Sequence, residues 1–389
     1  MIRKKNRIAI VHPHLKPGGG SEARALWIVE ALKEEEQVNL ISMGRIDLGA
    51  LNDYYGTDLK YDEIGIIEIP IPQMLKKRFD ALRSYRLSKY CKKNSDKFDL
   101  MISSYNVMDF GKKGIQYIAD FSFDDDLRRK HHSVSGTFPR LVYKRSFIRT
   151  MYLKLGEWIS KGTKEGWRRN TTIANSKWSA EVLQEAYGIN AQVIYPPVEE
   201  KFPDIPWEEK SNGFVAVGRL VPEKRFDQII HILKKVREQG HDVHLHIIGG
   251  GPYTSFNKTL KRVVEENSSW CFLEGPKYGA EKKKMISKHK FGISGCKNEA
   301  FGIAVAEMIK AGNIVWVPFS GGQVEIVDHK ELIYIDQEDA VLKIKKTLND
   351  NKKQAEIREH LKKNSEKFSI EIFKIKTRAT VEEFIGQSS

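Results

Sequence analysis

The feature that most constrains this chain is a rhythm. Short apolar runs of strand length alternate with longer helix-compatible stretches from one end to the other. In the first half the runs fall at 7–12, 38–43, 64–69, 100–103, 114–118 and 171–174, with helix-compatible segments such as 21–33 and 138–161 between them. A second series follows at 213–217, 243–248, 270–274, 291–294, 314–317 and 332–335. That alternation is the pattern of parallel sheets covered by helices. It is interrupted once, where Pro196, Pro197, Pro203 and Pro206 crowd a short stretch. Proline at that density stops regular structure and makes a stiff connector. At 389 residues the chain also exceeds what a single core usually supports. The expectation is an α/β protein of two Rossmann-like, doubly wound domains facing a cleft, with ligands off the carboxyl ends of the strands.

Several classes are excluded early. No apolar run approaches the roughly 20 residues that cross a bilayer, and the stretch 8–11 behind the basic first residues is too short for a signal peptide. Cys91, Cys271 and Cys296 are too scattered for a zinc knuckle or a disulfide framework, which suits a reducing, cytoplasmic setting. The formal charge of +14 is partly concentrated between Lys76 and Lys93, where eight basic side chains face Asp80 alone. Leu75, Phe79, Leu82 and Tyr90 interleave near helical spacing. A basic amphipathic helix over 73–93 is either a solvated helix packed by its apolar stripe or a surface for anionic lipid. No nucleic-acid-binding motif accompanies it, so nucleic acid is not an expected partner.

Three segments carry chemistry. Lys16-Pro17-Gly18-Gly19-Gly20-Ser21-Glu22 follows the first strand and precedes an apolar helix. Glycines there let the backbone approach a ligand, the helix start offers free N–H groups to a phosphate, and Ser21 is a candidate cap. In Val217-Gly218-Arg219-Leu220-Val221-Pro222-Glu223-Lys224 a strand ends in glycine, then an arginine fork, then a lysine at the mouth of a helix. Arg219 and Lys224 in that position are what a diphosphate leaving group requires. The third segment, 299–309, sets Glu307 among nearly all apolar neighbours. A half-buried carboxylate needs a partner, either a salt bridge within the protein or ligand hydroxyls such as those of a ribose. Glu299 precedes that helix, where the amides of Phe301 and Gly302 point to the same place. A carboxylate and amides converging on one spot suit a polyhydroxylated ring carrying a phosphate.

Together these segments resemble the retaining, GT-B-fold glycosyltransferases of family 4, group 1. The likeness also runs through Ala174-Asn175-Ser176-Lys177-Trp178, Val193-Ile194-Tyr195-Pro196-Pro197-Val198, Leu245-His246-Ile247-Ile248-Gly249-Gly250-Gly251-Pro252, Phe272-Leu273-Glu274-Gly275-Pro276 and 320–327. The resemblance implies that Arg219 and Lys224, beside Gly218, hold and stabilise the departing diphosphate. It implies that Glu307 binds the ribose and Glu299 the transferred sugar, while the amides of Phe301, Gly302 and Ile303 contact sugar and phosphate. The segment 275–278, with Lys277, would border the base, and Gly19 and Gly20 would close over the donor. Similar enzymes react on one face of the sugar without a protein nucleophile, a metal or a further cofactor. Many relatives carry a histidine in the segment matching 116–120; this chain has Ala119 and Asp120 there. Asp120 either contacts donor sugar or acceptor, or the role is absent.

Some residues are set aside. Asp124-Asp125-Asp126 contains an Asp-x-Asp but reads as an exposed turn or helix start, and His131 and His132 lack partners at metal spacing. His12 and His14 read as core or loop histidines, with His14 a candidate to face the cleft. Cys296 reads as packing, since no helper base accompanies it.

The resulting expectation assigns 1–198, with a C-terminal helix at 367–389, to an acceptor-side domain and 199–366 to a domain binding the nucleotide sugar. The function implied is retaining transfer of a hexose to a glycan or lipid-linked acceptor in envelope polysaccharide or glycoconjugate assembly. The Tyr-Pro-Pro-Val connector resembles that of mannosyltransferases using GDP-mannose. A UDP-hexose or UDP-N-acetylhexosamine donor is the alternative, and a nucleotide-sugar epimerase the rival from another class. The setting expected is cytoplasmic or peripheral on the inner membrane face.

Overall fold

The computed structural model describes residues 4–71, 80–131, 164–199, 201–251 and 254–387. The helix-compatible stretch 138–161 and the basic residues Lys76, Lys77 and Arg78 lie outside them. The chain divides into two compact units. The first uses described residues up to 130, then 164–197 and 370–387; the second uses 198–369 together with His131.

The first unit is built on seven parallel strands in the order β3-β2-β1-β4-β5-β6-β7. These are β1 (Arg7–His12), β2 (Gln37–Met43), β3 (Gly65–Ile69), β4 (Leu100–Ser103), β5 (Ile115–Ile118), β6 (Thr171–Ala174) and β7 (Gln192–Val193). Each of the first six strands coincides closely with an apolar run in the sequence. Helices α1 (Gly20–Leu32), α2 (Leu48–Tyr55), α3 (Asp80–Lys93), α4 (Asp125–His131), α5 (Lys164–Arg168) and α6 (Lys177–Tyr187) connect them.

One face buries Ile8, Ile10, Leu40 and Ile102 against Leu26 and Val29 of α1. The other buries Ala9, Val11 and Met101 against Leu87 and Cys91 of α3. Both faces are covered, so the strands are apolar on alternate and adjacent positions alike.

The second unit has six parallel strands in the order β10-β9-β8-β11-β12-β13. They are β8 (Ser211–Val217), β9 (His244–Ile248), β10 (Cys271–Gly275), β11 (His289–Ile293), β12 (Ile314–Pro318) and β13 (Ile333–Tyr334). Its helices are α7 (Phe226–Glu238), α8 (Ser255–Glu265), α9 (Gly279–Ser287), α10 (Ile303–Lys310), α11 (Gln323–Val327), α12 (Gln337–Leu348) and α13 (Asn351–Ser365). Phe214, Phe291 and Trp316 stack side by side across β8, β11 and β12.

The last helix, α14 (Ile370–Gly386), belongs to the first unit. Phe373, Val381 and Phe384 enter its core beside α1. Polar anchors fix the docking: Tyr117 and Thr377 share a 3.1 Å hydroxyl hydrogen bond, and Arg378 donates to the Ala31 carbonyl at 2.8 Å. No helix among the described residues is long and apolar enough to cross a membrane.

In each sheet the strand order reverses at one place, between β1 and β4 in the first and between β8 and β11 in the second. The connections on either side of that point lead to opposite faces, so a crevice opens at the strands' carboxyl ends.

Candidate functional site

In the second unit the crevice is lined by the loops leaving β8 and β11. Gly218 follows β8 directly, and a Cβ there would sit 3.4 Å from Lys224 Cδ, so the lysine stem lies over the strand end. The loop after β9 packs beneath. Leu220 N donates to Gly250 O at 2.9 Å, and a Cβ on Gly249 would stand 1.8 Å from the Gly218 carbonyl oxygen. Only glycine allows those two backbones to touch.

Pro222, first residue of a single 3-10 turn (Pro222–Lys224), starts the bend that brings Lys224 back, and Arg225 follows in the left-handed region at φ 50°. Gly295 lets the β11 loop pass against it, since its Cβ would lie 2.8 Å from Lys224 O.

Two residues that the sequence assigns to different groups of the donor meet each other here. The Lys224 ammonium is hydrogen-bonded to the Glu299 carboxylate, with both side chains about a quarter exposed. Burial alone would depress the lysine's pKa, but the charge and hydrogen bond of Glu299 outweigh it and raise the value. Arg219 is exposed at the strand end, and its charge acts against the protonated Lys224. Its guanidinium has no hydrogen-bond or ion-pair partner among the described residues. With Glu299 paired to Lys224, the positive charge of Arg219 is left over at the crevice.

Glu299 is held from behind. It forms an isolated bridge with Gly321, and Gly322 N donates to its carbonyl at 2.8 Å. Gly321 sits at φ 85°, and a Cβ there would meet Glu299 N and O at 2.6 and 2.5 Å. Asn298 is itself left-handed at φ 57° and takes a hydrogen bond from Ser320 Oγ. The fully buried Gln323 accepts from Ser294 Oγ at 2.9 Å and donates to Cys296 O and Ser320 O. The 320–323 loop thus braces the segment that carries Glu299, a support that only the folded chain reveals.

Beyond it Phe301 is buried in an edge contact with Phe368, and Gly302 caps α10 at φ 111°. At the start of α10 the amide of Ile303 has no intrahelical acceptor, whereas Val305 N already donates to Gly302 O at 2.9 Å. Val305, Ala306, Met308 and Ile309 bury the inner face of α10. Glu307 is 13% exposed and pairs with Lys282 of α9 at 2.6 Å. This is the internal salt bridge that the sequence left open, and Lys282 had not been singled out. Lys277 is 15% exposed and engaged by Glu281 at 2.6 Å, with Glu274 at 3.8 Å. The hydrogen bond to Glu281 raises its pKa. Cys296 is buried, and its thiol is pushed up to about 12, which makes it inert packing.

The corresponding crevice of the first unit is built differently. Gly18 N and Gly19 N both donate to the Tyr55 hydroxyl, at 2.9 and 3.0 Å, and that hydroxyl donates to Gly19 O. Helix α1 begins at Gly20 with Gly19 as its cap. The expected cap, Ser21, instead donates to Glu22 Oε2 at 2.8 Å, because it already lies inside the first turn.

Behind the loop, buried Arg24 donates to Ser104 O at 2.8 and 3.1 Å and lies over the Tyr117 ring. Asp120 Oδ1 accepts from Asn106 Nδ2 and Ser122 N, each at 2.9 Å. Asn106, left-handed at φ 59°, also receives the amides of Ala119 and Asp120. His12 is buried beside Tyr105, and burial lowers its pKa to about 3. Asp124 accepts from the amides of Asp126 and Leu127, so the Asp-x-Asp is a helix start.

Residues 197–368 match the family model described as glycosyl transferases group 1. A relative in sequence is the GDP-Man:Man(3)GlcNAc(2)-PP-Dol alpha-1,2-mannosyltransferase of Candida glabrata, 27% identical over 50% of this chain. The match covers 39% of that relative, and the matches to its mouse and Eremothecium gossypii counterparts cover 34% and 32% of theirs. The chain therefore aligns with well under two thirds of the curated relatives' length. Among solved structures, Anabaena HepE in complex with UDP and glucose superposes at a TM-score of 0.69 with 15% identity, covering 97% of this chain and all of that one. WaaG, a glycosyltransferase involved in lipopolysaccharide biosynthesis, gives 0.65 at 15% identity over 92% and 95%. The fold is thus GT-B, and residues 197–368 match the model of the group 1 glycosyl transferases.

Proposed function

We propose that the chain is a retaining hexosyltransferase that moves a sugar from a nucleoside diphosphate to a glycan or lipid-linked acceptor. The observation that carries this reading is the Lys224–Glu299 pair at the switch point of the second sheet, with the unpartnered Arg219 beside it. A bound donor would exchange that pairing. Its diphosphate takes the lysine and arginine charges, and the released Glu299 accepts hydroxyls of the sugar. As the glycosidic bond to the diphosphate breaks, negative charge grows on the leaving oxygen. A fixed cation there is worth roughly 3–4 kcal/mol when water is excluded. Glu307 would turn from Lys282 to the ribose hydroxyls. No metal is needed for charge neutralisation that two side chains already supply.

Mannose from GDP-mannose is the first donor to test, on the strength of the donor printed in the relatives' names. A UDP-sugar is second, because HepE was solved with UDP. The basic residues of α3 would hold the enzyme against an anionic, cytoplasmic membrane surface bearing the acceptor. Flotation with anionic liposomes tests that part, and equal floating of wild type and a charge-reversed α3 would refute it. The central experiment is thermal shift and turnover with GDP-mannose, UDP-glucose and UDP-N-acetylglucosamine, followed by assignment of the product anomer by NMR. An inverted anomer, or an isomerised donor formed without acceptor, would refute the proposal.

A further inference from the structure

We propose that His244, His246 and His289 form a binding site for one zinc-class divalent transition-metal ion, remote from the crevice of the second unit. One ring nitrogen of each lies within 4.8 Å of the others. His244 and His289 are the first residues of β9 and β11, so the cluster sits toward the amino ends of strands whose carboxyl ends carry the crevice. It belongs to a different place in the fold and to no step of sugar transfer.

The backbone makes room for it. Strands β9 and β11 are not neighbours, since β8 runs between them, and Gly213 of β8 pairs with His244. A Cβ at Gly213 would stand 2.1 Å from His244 Nε2 and 2.6 Å from His289 Cδ2. The missing side chain lets the two imidazoles meet over the intervening strand.

The tautomers follow from the outer partners. His289 Nδ1 is 2.7 Å from the Met285 carbonyl, which only accepts, so the proton is on Nδ1 and the Nε2 lone pair is bare. His246 Nδ1 is 2.7 Å from Glu274 Oε1, which orients Nε2 as the lone-pair nitrogen in the same way. A carboxylate or carbonyl behind a ligating histidine is the usual support of a metal site.

Three imidazoles suit zinc, or cobalt in its place, and do not suit magnesium or calcium. Zinc–nitrogen bonds of about 2.0–2.1 Å put tetrahedral ligands about 3.3 Å apart. From a present spacing of up to 4.8 Å the ring nitrogens would have to close by as much as about 1.5 Å on binding. An ion there would tie β9 to β11 across β8.

The test uses the full chain, stripped with EDTA and dialysed. Zinc titration by calorimetry at pH 7.5 should show one saturable equivalent, and thermal unfolding should rise by several degrees with zinc but not with magnesium. Cobalt should give the intense visible bands of a four-coordinate nitrogen site. His244→Gln and His246→Gln, each checked for native far-UV circular dichroism, should weaken zinc at least tenfold. Absence of a saturable equivalent in the wild type would overturn the proposal. So would zinc affinity unchanged in both folded variants, which would place the ion elsewhere. The cobalt spectrum of the wild type decides the matter even if the variants fail to fold.

Discussion

At the carboxyl ends of β1 and β4 the first unit sets a guanidinium against backbone carbonyls, and the carboxylate of Asp120 against an asparagine and amides. At the same place in the second sheet the charges are paired with each other, Lys224 with Glu299 and Glu307 with Lys282. The topology is shared, yet one crevice is fixed by groups that cannot exchange partners. The other is held by ion pairs that an anionic ligand can reopen. Burial supports that division: Arg24 is 3% exposed, whereas Lys224 and Glu299 are about a quarter exposed. The first arrangement builds a rigid wall, and the second keeps charge ready.

Substitutions can break that contrast. Lys224→Ala should have the largest effect, lowering kcat for transfer by roughly 10²–10³-fold with little change in Tm; initial rates and a melting curve measure both. A rate within tenfold of wild type would mean that Lys224 is structural. Arg24→Met should do the opposite. It strands the Ser104 carbonyl and costs on the order of 2–3 kcal/mol of stability, with nucleotide affinity unchanged.

Glu307→Gln should come next, raising KM for the donor about tenfold, or about 1.4 kcal/mol, at unchanged kcat. The smallest effect sharpens the picture of the first unit. His12 has a folded pKa of about 3 against an unfolded value near 6.5. The unfolded chain therefore binds the proton more readily, and the stability that a neutral His12 contributes is complete above pH 6.5. It declines as pH falls from there toward 3. Scanning Tm against pH should show a shallower acid limb in His12→Gln than in the wild type.

The strands were legible because parallel sheets sandwiched between helices demand unbroken apolar runs, and Ile8–Val11 or Ile314–Val317 are of that kind. Strand β7, only two residues long, offers no such run and went unseen. Arg219, Lys224 and Glu299 were legible from their places just past strand ends, where polar groups have no packing reason to be.

What stayed hidden was whatever depends on contacts between distant segments. Nothing near Glu307 in sequence points to Lys282, which reaches it from another helix. Tyr55 clasps the glycine loop from 36 residues away. His244 and His246 alternate on one strand, but their meeting with His289 needed Gly213 between them. Ser21 was misread as a cap because sequence alone does not say which residue before an apolar helix leaves the helical conformation first.

The helix after the second unit carries a consequence for how the molecule is made. Residues 198–369 are a single contiguous stretch and hold all their own strands, so that half can consolidate as soon as it has left the ribosome. The earlier-synthesised half must wait, its floor open beside α1, until Phe373, Val381 and Phe384 have followed the whole second unit out of the ribosome. The segment born first is thus the one completed last.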